Sequence, residues 1–233
     1  MDFSNEVTLI TTTRDRPYFL LNCAKSIANQ VTPPAEWLVY IDDDFYNYKN
    51  VVEQIESIVP YVNVFSKDKK IGRVSSLQYA HSKVKTKYVG WVDDDDWLDR
   101  ECLAMCANYP YSDFIYTDFF EVRFNSVKIG ERNKITFSHK KMLTDNIVFH
   151  FRLFTQALFE SCGGLDLSYS TTMDYELTLR LLANITPQKI NVPLYYYRIH
   201  KRRISARYHE QQKINFVRAV NKNRRIYDKY LSE

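Results

Sequence analysis

Glycine is scarce in this chain: five residues in 233, about 2% against a usual level near 7%. The five are Gly72, Gly90, Gly130, Gly163 and Gly164, and no arrangement of them forms G-x-G-x-x-G or G-x-x-x-x-G-K-[ST]. A glycine-rich phosphate cradle of the dinucleotide-binding or P-loop kind is therefore excluded. Cysteine is also sparse. Cys23, Cys102, Cys106 and Cys162 include no C-x-x-C pair, so buried free thiols in a reducing compartment are expected. No run approaches the roughly 18 apolar residues of a membrane span, and residues 1–6 contain no signal-like apolar segment. A cytoplasmic protein is expected, with a peripheral membrane contact left open.

Aromatic residues are abundant at 15%, with 18 Tyr and 14 Phe, so stacking surfaces for bases or sugar rings are available. Charge is polarised. Residues 198–233 hold 11 Lys and Arg against three acids, a net +8, which leaves 21 basic and 25 acidic residues, a net −4, in the rest. A basic tail on an acidic body suits a solvated helix face, an anionic lipid surface or an anionic substrate.

The first half alternates in period. Residues 7–12, 37–41, 61–65 and 88–92 read as apolar, β-branched strands, and 18–29, 50–58 and 73–84 as helices, with Pro17 suited to a helix start. Such alternation argues a parallel sheet with helices on both faces. The second half is less regular. Strands are expected over 114–124, 147–154 and 190–199. Helices are expected over 98–108, 155–161 and 173–182, and a long amphipathic one over 207–231. The expected architecture is one α/β domain with a mostly parallel central sheet, a nucleotide-binding half over residues 1–96 and an acceptor half over 97–233.

Two runs of aspartate carry the chemistry. Asp42-Asp43-Asp44 and Asp93-Asp94-Asp95-Asp96 each follow an apolar strand. Ligands of open parallel sheets bind at that carboxyl edge. Carboxylates this dense repel unless a cation joins them, and a hard divalent ion that also bridges phosphate oxygens is the natural partner.

At these residues the chain resembles the inverting family 2 glycosyltransferases of GT-A fold. Ile10-Thr11-Thr12-Thr13-Arg14-Asp15-Arg16-Pro17 resembles their opening motif, Tyr40-Ile41-Asp42-Asp43 the second, and Trp91-Val92-Asp93-Asp94-Asp95-Asp96 the metal motif. Gly163-Gly164-Leu165-Asp166, followed by the segment from Met173 to Arg180, resembles the stretch carrying their catalytic base. Tyr195-Tyr196-Tyr197-Arg198-Ile199-His200 resembles the closing motif. The resemblance implies that Thr12 and Arg14 line the nucleotide, that Asp43 accepts the uracil N3–H, and that Asp93 and Asp94 belong to the nucleotide-sugar site. It implies Asp95, Asp96 and His200 as the ligands of Mn²⁺ or Mg²⁺, and Asp174 as the general base that deprotonates the acceptor hydroxyl.

Two positions depart from the pattern. Met173 stands where an acid usually precedes the base, which makes Glu176 a competing base. Leu77-Gln78 replaces an Arg-Asn pair, so Arg73 is expected to supply the cation for the phosphates. The Gln-x-x-Arg-Trp signature of processive polymerases is absent, which argues transfer of one sugar at a time. The expected partners are a UDP-sugar donor and a glycan or lipid-linked acceptor, with the basic stretch 198–229 drawing the chain to anionic lipid. No nucleic acid is expected, because two aspartate runs repel phosphate without metal. The competing readings are a non-catalytic nucleotide-sugar or nucleic-acid binder and a phosphatase with an aspartate nucleophile.

Overall fold

The computed structural model describes residues 3–231. The first half is a run of β–α units: β1 (Val7–Thr13), α1 (Pro17–Ala28), β2 (Glu36–Ile41), α2 (Lys49–Ile58), β3 (Val62–Ser66), α3 (Arg73–His81) and β4 (Tyr88–Trp91). β1 pairs in parallel with β2, from Thr8 opposite Glu36 to Thr13 opposite Ile41, and also with β4. β3 adds in parallel outside β2.

Both faces of this sheet are covered, which explains why its central strands carry apolar or β-branched residues on both sides. Successive residues alternate between the faces. Leu9, Trp37, Val39 and Ile41 pack with Leu20, Cys23 and Ile27 of α1 and Ile55 of α2. Ile10 and Leu38 pack on the other side with Val74, Leu77 and Ala80 of α3. Cys23, Cys102, Cys106 and Cys162 are all free thiols, and the first three are buried.

Beyond β4 come β5 (Trp97–Leu98), α4 (Cys102–Cys106), β6 (Phe114–Arg123), β7 (Ser126–Ile129), α5 (His139–Met142), β8 (Arg152–Thr155) and α6 (Gln156–Ser161). The chain closes with α7 (Met173–Leu181), β9 (Gln188–Arg198), α8 (Ile204–Arg207), α9 (His209–Asn223) and a 3₁₀ turn over Arg224–Tyr230. One sheet joins the two halves, in the order β3-β2-β1-β4-β8-β6-β9-β5, with β7 beside β6. It is parallel as far as β4 and mixed beyond. β8 runs antiparallel to β4 and to β6, and β9 pairs in parallel with β6 across an irregularity at Asp118. β1, β2, β4, β6 and β9 therefore all end at the same sheet edge.

Three elements differ from the sequence expectation. The 98–108 helix shrinks to Cys102–Cys106, because Trp97 and Leu98 pair with Tyr196 and Tyr195 of β9 instead. The 147–154 strand begins only at Arg152. The C-terminal helix ends at Asn223, and its inward line is Asn215, Ala219 and Asn223, while Ile214 and Val217 face outward. Polar contacts join the apolar ones: Phe216 stacks on Tyr175 of α7 at 4.7 Å, Asn215 Nδ2 donates to the Thr171 carbonyl at 3.0 Å, and Lys222 Nζ to Glu176 at 2.7 Å.

Candidate active site

The segments after β1, β3, β4, β6 and β9 meet around one pocket of about 510 Å³, lined by Asp93, Asp95, Asp174, Arg73 and Arg152 among others, while Thr12, Arg14 and Asp43 lie outside its lining. Two residues beside it hold backbone conformations unusual for their type: Asp15 at φ 59° after β1 and Thr172 at φ 65° before α7. A β-branched residue such as Thr172 is strained there, and such strain clusters at functional sites.

The first aspartate run divides its work. Both oxygens of Asp42 accept backbone N–H groups, from Ile71 at 2.7 Å and Gly72 at 3.0 Å, which fixes the approach to α3. Asp44 caps the following 3₁₀ turn through the Tyr46 N–H at 3.0 Å. Asp43 is held by the N–H groups of Asp15 (3.0 Å) and Asp44 (2.8 Å) and by Lys70 Nζ at 2.6 Å. Burial opposes its ionisation, but the Lys70 hydrogen bond and the two N–H groups outweigh burial and bring the pKa down to about 2. Thr12 is half-buried at the end of β1, and Arg14 is exposed, with its Nη1 3.9 Å from Asp42.

The second run is knit to two arginines, Arg73 and Arg16, of which only Arg73 has a role expected from the sequence. Pro17 starts α1, so Arg16 stands at its N-cap without a capping bond, and its guanidinium crosses to Asp94 (2.6 Å) and to Asp95. Asp94 also accepts from Thr13 Oγ1 at 2.6 Å; burial lifts its pKa to about 7 despite Arg16, with Asp95 adding to the rise. Arg73 Nη2 lies 2.6 Å from Asp93, where the departure at Leu77-Gln78 implied a cation. Gln78 itself is structural, its Oε1 accepting from the Leu165 N–H at 3.0 Å.

The three expected metal ligands are split. Asp95 Oδ2 sits 2.8 Å from His200 Nε2, and that contact with Arg16 holds Asp95 ionised against its burial. Asp96 turns inward, accepting from Tyr195 Oη at 2.8 Å and the Arg198 N–H at 2.7 Å. Burial, then Asp95 and Asp93, raise its pKa well above the carboxylate range. Asp96 thus fastens β9 to the cluster. Among the described residues, the acidic and imidazole groups whose ligand atoms lie within 4.8 Å of one another are Asp93, Asp96 and His150. The donor set of carboxylate oxygens with imidazole nitrogen fits Mn²⁺ better than Mg²⁺. His200 Nδ1 accepts from the Arg202 N–H at 3.2 Å, so Nε2 is the nitrogen turned to Asp95.

Across the pocket, Asp174 stands in the first turn of α7. Arg152, a buried residue of β8, donates to its Oδ2 at 2.8 Å and to its carbonyl at 3.3 Å, and also to Thr178 Oγ1 at 3.0 Å. Burial would raise the Asp174 pKa; Arg152 by charge and hydrogen bond, then His150 and Arg73, overcome this and hold it at about 2. Glu176, the competing base, is fully buried and paired with Arg180 (2.6 Å) and Lys222 (2.7 Å), away from the pocket. That removes it from the chemistry. Arg152 had a legible signal: a lone arginine inside the apolar run Phe151–Phe154 must have a partner. His150, stacked 4.8 Å from Tyr195, had none.

The sequence model of glycosyl transferase family 2 matches residues 8–161, and the chain belongs to that family. Asp174 and His200 lie beyond the matched stretch. A chondroitin synthase of Pasteurella multocida (strain Pm70) is 26% identical over 210 residues, 88% of this chain and 22% of that protein. The chain therefore spans about a fifth of that relative's length. Among solved structures, S. aureus TarS 1–349 in complex with UDP-GlcNAc superposes with TM-score 0.72 at 16% identity, over 97% of this chain and 71% of that one. Mannosyltransferase PcManGT from Pyrobaculum calidifontis, in complex with GDP-Man and Mn²⁺, gives 0.69 at 16%, over 94% and 64%. Likeness at that identity establishes the fold, which is GT-A.

Proposed function

We propose that this chain is a metal-dependent, inverting glycosyltransferase that moves one sugar at a time from a UDP-sugar to a hydroxyl of a glycan or lipid-linked glycan. The observation that carries the reading is the placement of Asp93, Asp95 and Asp174 around one pocket at the carboxyl edge of the sheet. TarS holds UDP-GlcNAc and PcManGT holds GDP-Man with Mn²⁺ on the same fold, which supports a nucleotide-sugar donor and a divalent ion here.

Asp43, with one acceptor position of its roughly four still open, would receive the uracil N3–H. Thr12 and Arg14 would border the nucleotide, and Arg73 would meet the diphosphate. Asp95 and His200 would hold the Mn²⁺ or Mg²⁺, with Asp96 keeping Asp95 in place through Tyr195 and Arg198. The ion supplies positive charge to the leaving diphosphate when bound.

Asp174 takes the proton of the acceptor hydroxyl as its oxygen bonds to the anomeric carbon and the bond to the diphosphate oxygen breaks. A carboxylate with pKa about 2 is ionised at every working pH. Proton transfer then relies on the acidity the hydroxyl gains as the new bond forms, not on resting basicity. Arg152 fixes the direction of the carboxylate.

The test is release of UDP from a UDP-sugar with and without Mn²⁺, against GDP-mannose as an alternative donor. Metal-dependent release favouring the UDP-sugar is expected. Metal-independent release, or equal use of both donors, would refute the donor assignment.

A further inference from the structure

The arginines lining the pocket fall into two groups. Arg16, Arg73 and Arg152 each hold an aspartate at 2.8 Å or less. The other three are held more loosely. Arg123 lies 3.8 Å from Glu121 and Arg132 3.8 Å from Asp145, beyond good hydrogen-bond length. The Nε of Arg203 is buried with no acceptor among the described residues, a costly arrangement unless something else supplies one.

These three belong to one region. β6 runs parallel to β4 with β8 between, so Arg123, the last residue of β6, emerges at the same edge of the sheet as the aspartates and, like Arg132 and Arg203, lines the pocket. Arg132 follows the β6–β7 hairpin, and Arg203 follows β9, the other neighbour of β6. Phe149 lies under the Arg132 guanidinium, 4.9 Å from its ring centre, and steadies the plane of the fork. Guanidinium forks with unspent donors match carboxylate and phosphate oxygens two by two.

We infer that the acceptor is an acidic glycan, whose carboxylate or phosphate is clamped by Arg123, Arg132 and Arg203 while its hydroxyl faces Asp174. The inference rests on the transferase reading and narrows its acceptor.

Calorimetry on the full chain with UDP and Mn²⁺ present tests it, using a hexuronate-containing oligosaccharide, its carboxyl-reduced counterpart and a phosphate-bearing oligosaccharide as probes. At least one acidic probe should bind about tenfold or more tightly than the reduced one, and which one does so separates carboxylate from phosphate. Arg132→Gln with Arg203→Gln should erase that preference while UDP affinity stays within about twofold, which also shows that the variant is folded. Equal affinity for acidic and reduced probes, no binding of any probe, or a preference that survives the double substitution would overturn the inference. Failure of the unaltered protein to bind UDP would instead refute the donor reading, and this inference with it.

Discussion

Asp43 shows how much of a carboxylate's work is positional. Three donors already hold it, so one oxygen site points where a base could meet it. Asp43→Ala should weaken UDP binding by about 1.5–3 kcal/mol, the scale of a hydrogen bond to a charged group. Titration of CDP alongside UDP checks the assignment, because equal affinities for the two in the unaltered protein would exclude a uracil-specific contact. The second aspartate run now separates by role. Asp96 carries Tyr195 and the Arg198 N–H, so its loss would disturb β9 as well as any ion. Asp95→Asn is the cleaner probe: Mn²⁺-dependent UDP affinity should fall at least tenfold, with metal-free affinity little changed. Unaltered Mn²⁺ dependence in that variant would move the ion to Asp93, Asp96 and His150.

At the scale of elements, the regular half was legible throughout, and the irregular half in β6, α6, α7 and β9 but not in its short or pairing-dependent elements. Strands β1, β2 and β4 are buried at nearly every position because helices cover both faces, so their apolar and β-branched runs declare themselves without a partner. β5 is two residues long and exists only because β9 lies beside it; no local pattern encodes that. The motif carboxylates were visible for the same reason as the strands they follow, whereas Arg16 and Arg152 matter through partners 78 and 22 residues away. α3 offers a test of packing. His81 is buried, stacked on Phe159 at 3.7 Å, and accepts from Trp91 Nε1 at 2.8 Å, an arrangement only the neutral ring satisfies. Burial lowers its pKa to about 4, from an ordinary 6.5. The unfolded chain then binds the extra proton first as pH falls, so this contribution is whole above about pH 6.5 and is lost toward pH 4, about 3 kcal/mol at most. His81→Phe should be less stable at pH 7, since Trp91 loses its acceptor, yet its unfolding free energy should fall less steeply between pH 6.5 and 4. Parallel curves for the two proteins would contradict this.

For the whole molecule, the charge polarity seen in composition is partly absorbed by the fold. Arg198 lies over Trp97 at 4.7 Å, Arg218 over Tyr169 at 4.3 Å, and Lys222 joins Asp166 at 2.7 Å. Lys201, Arg202, Arg207, Arg224 and Arg225 remain exposed, beside the outward Ile214 and Val217. No helix among the described residues is long and apolar enough to cross a membrane. We propose that these exposed side chains make a peripheral contact with anionic lipid, each Lys or Arg near such a surface being worth about 1 kcal/mol. Flotation with anionic vesicles should carry the protein up at low salt and release it at high salt. Absence of binding at both would favour a glycan acceptor free in solution. One sheet spanning both halves supports treating the donor and acceptor regions as parts of a single unit, in which Arg152 of β8 links the aspartate edge to α7.

The central claim is that Asp174, held by Arg152 across the pocket from the aspartate edge, is the base of an inverting displacement. The most direct measurement is turnover of a UDP-sugar with acceptor by Asp174→Asn, with UDP affinity determined in parallel. The substitution keeps the size of the side chain and removes its proton acceptor, so turnover should fall at least about a hundredfold. UDP affinity should stay within about twofold, because Asp174 serves the acceptor side. Near-normal turnover, or a product that retains the donor's anomeric configuration in the unaltered enzyme, would contradict the account.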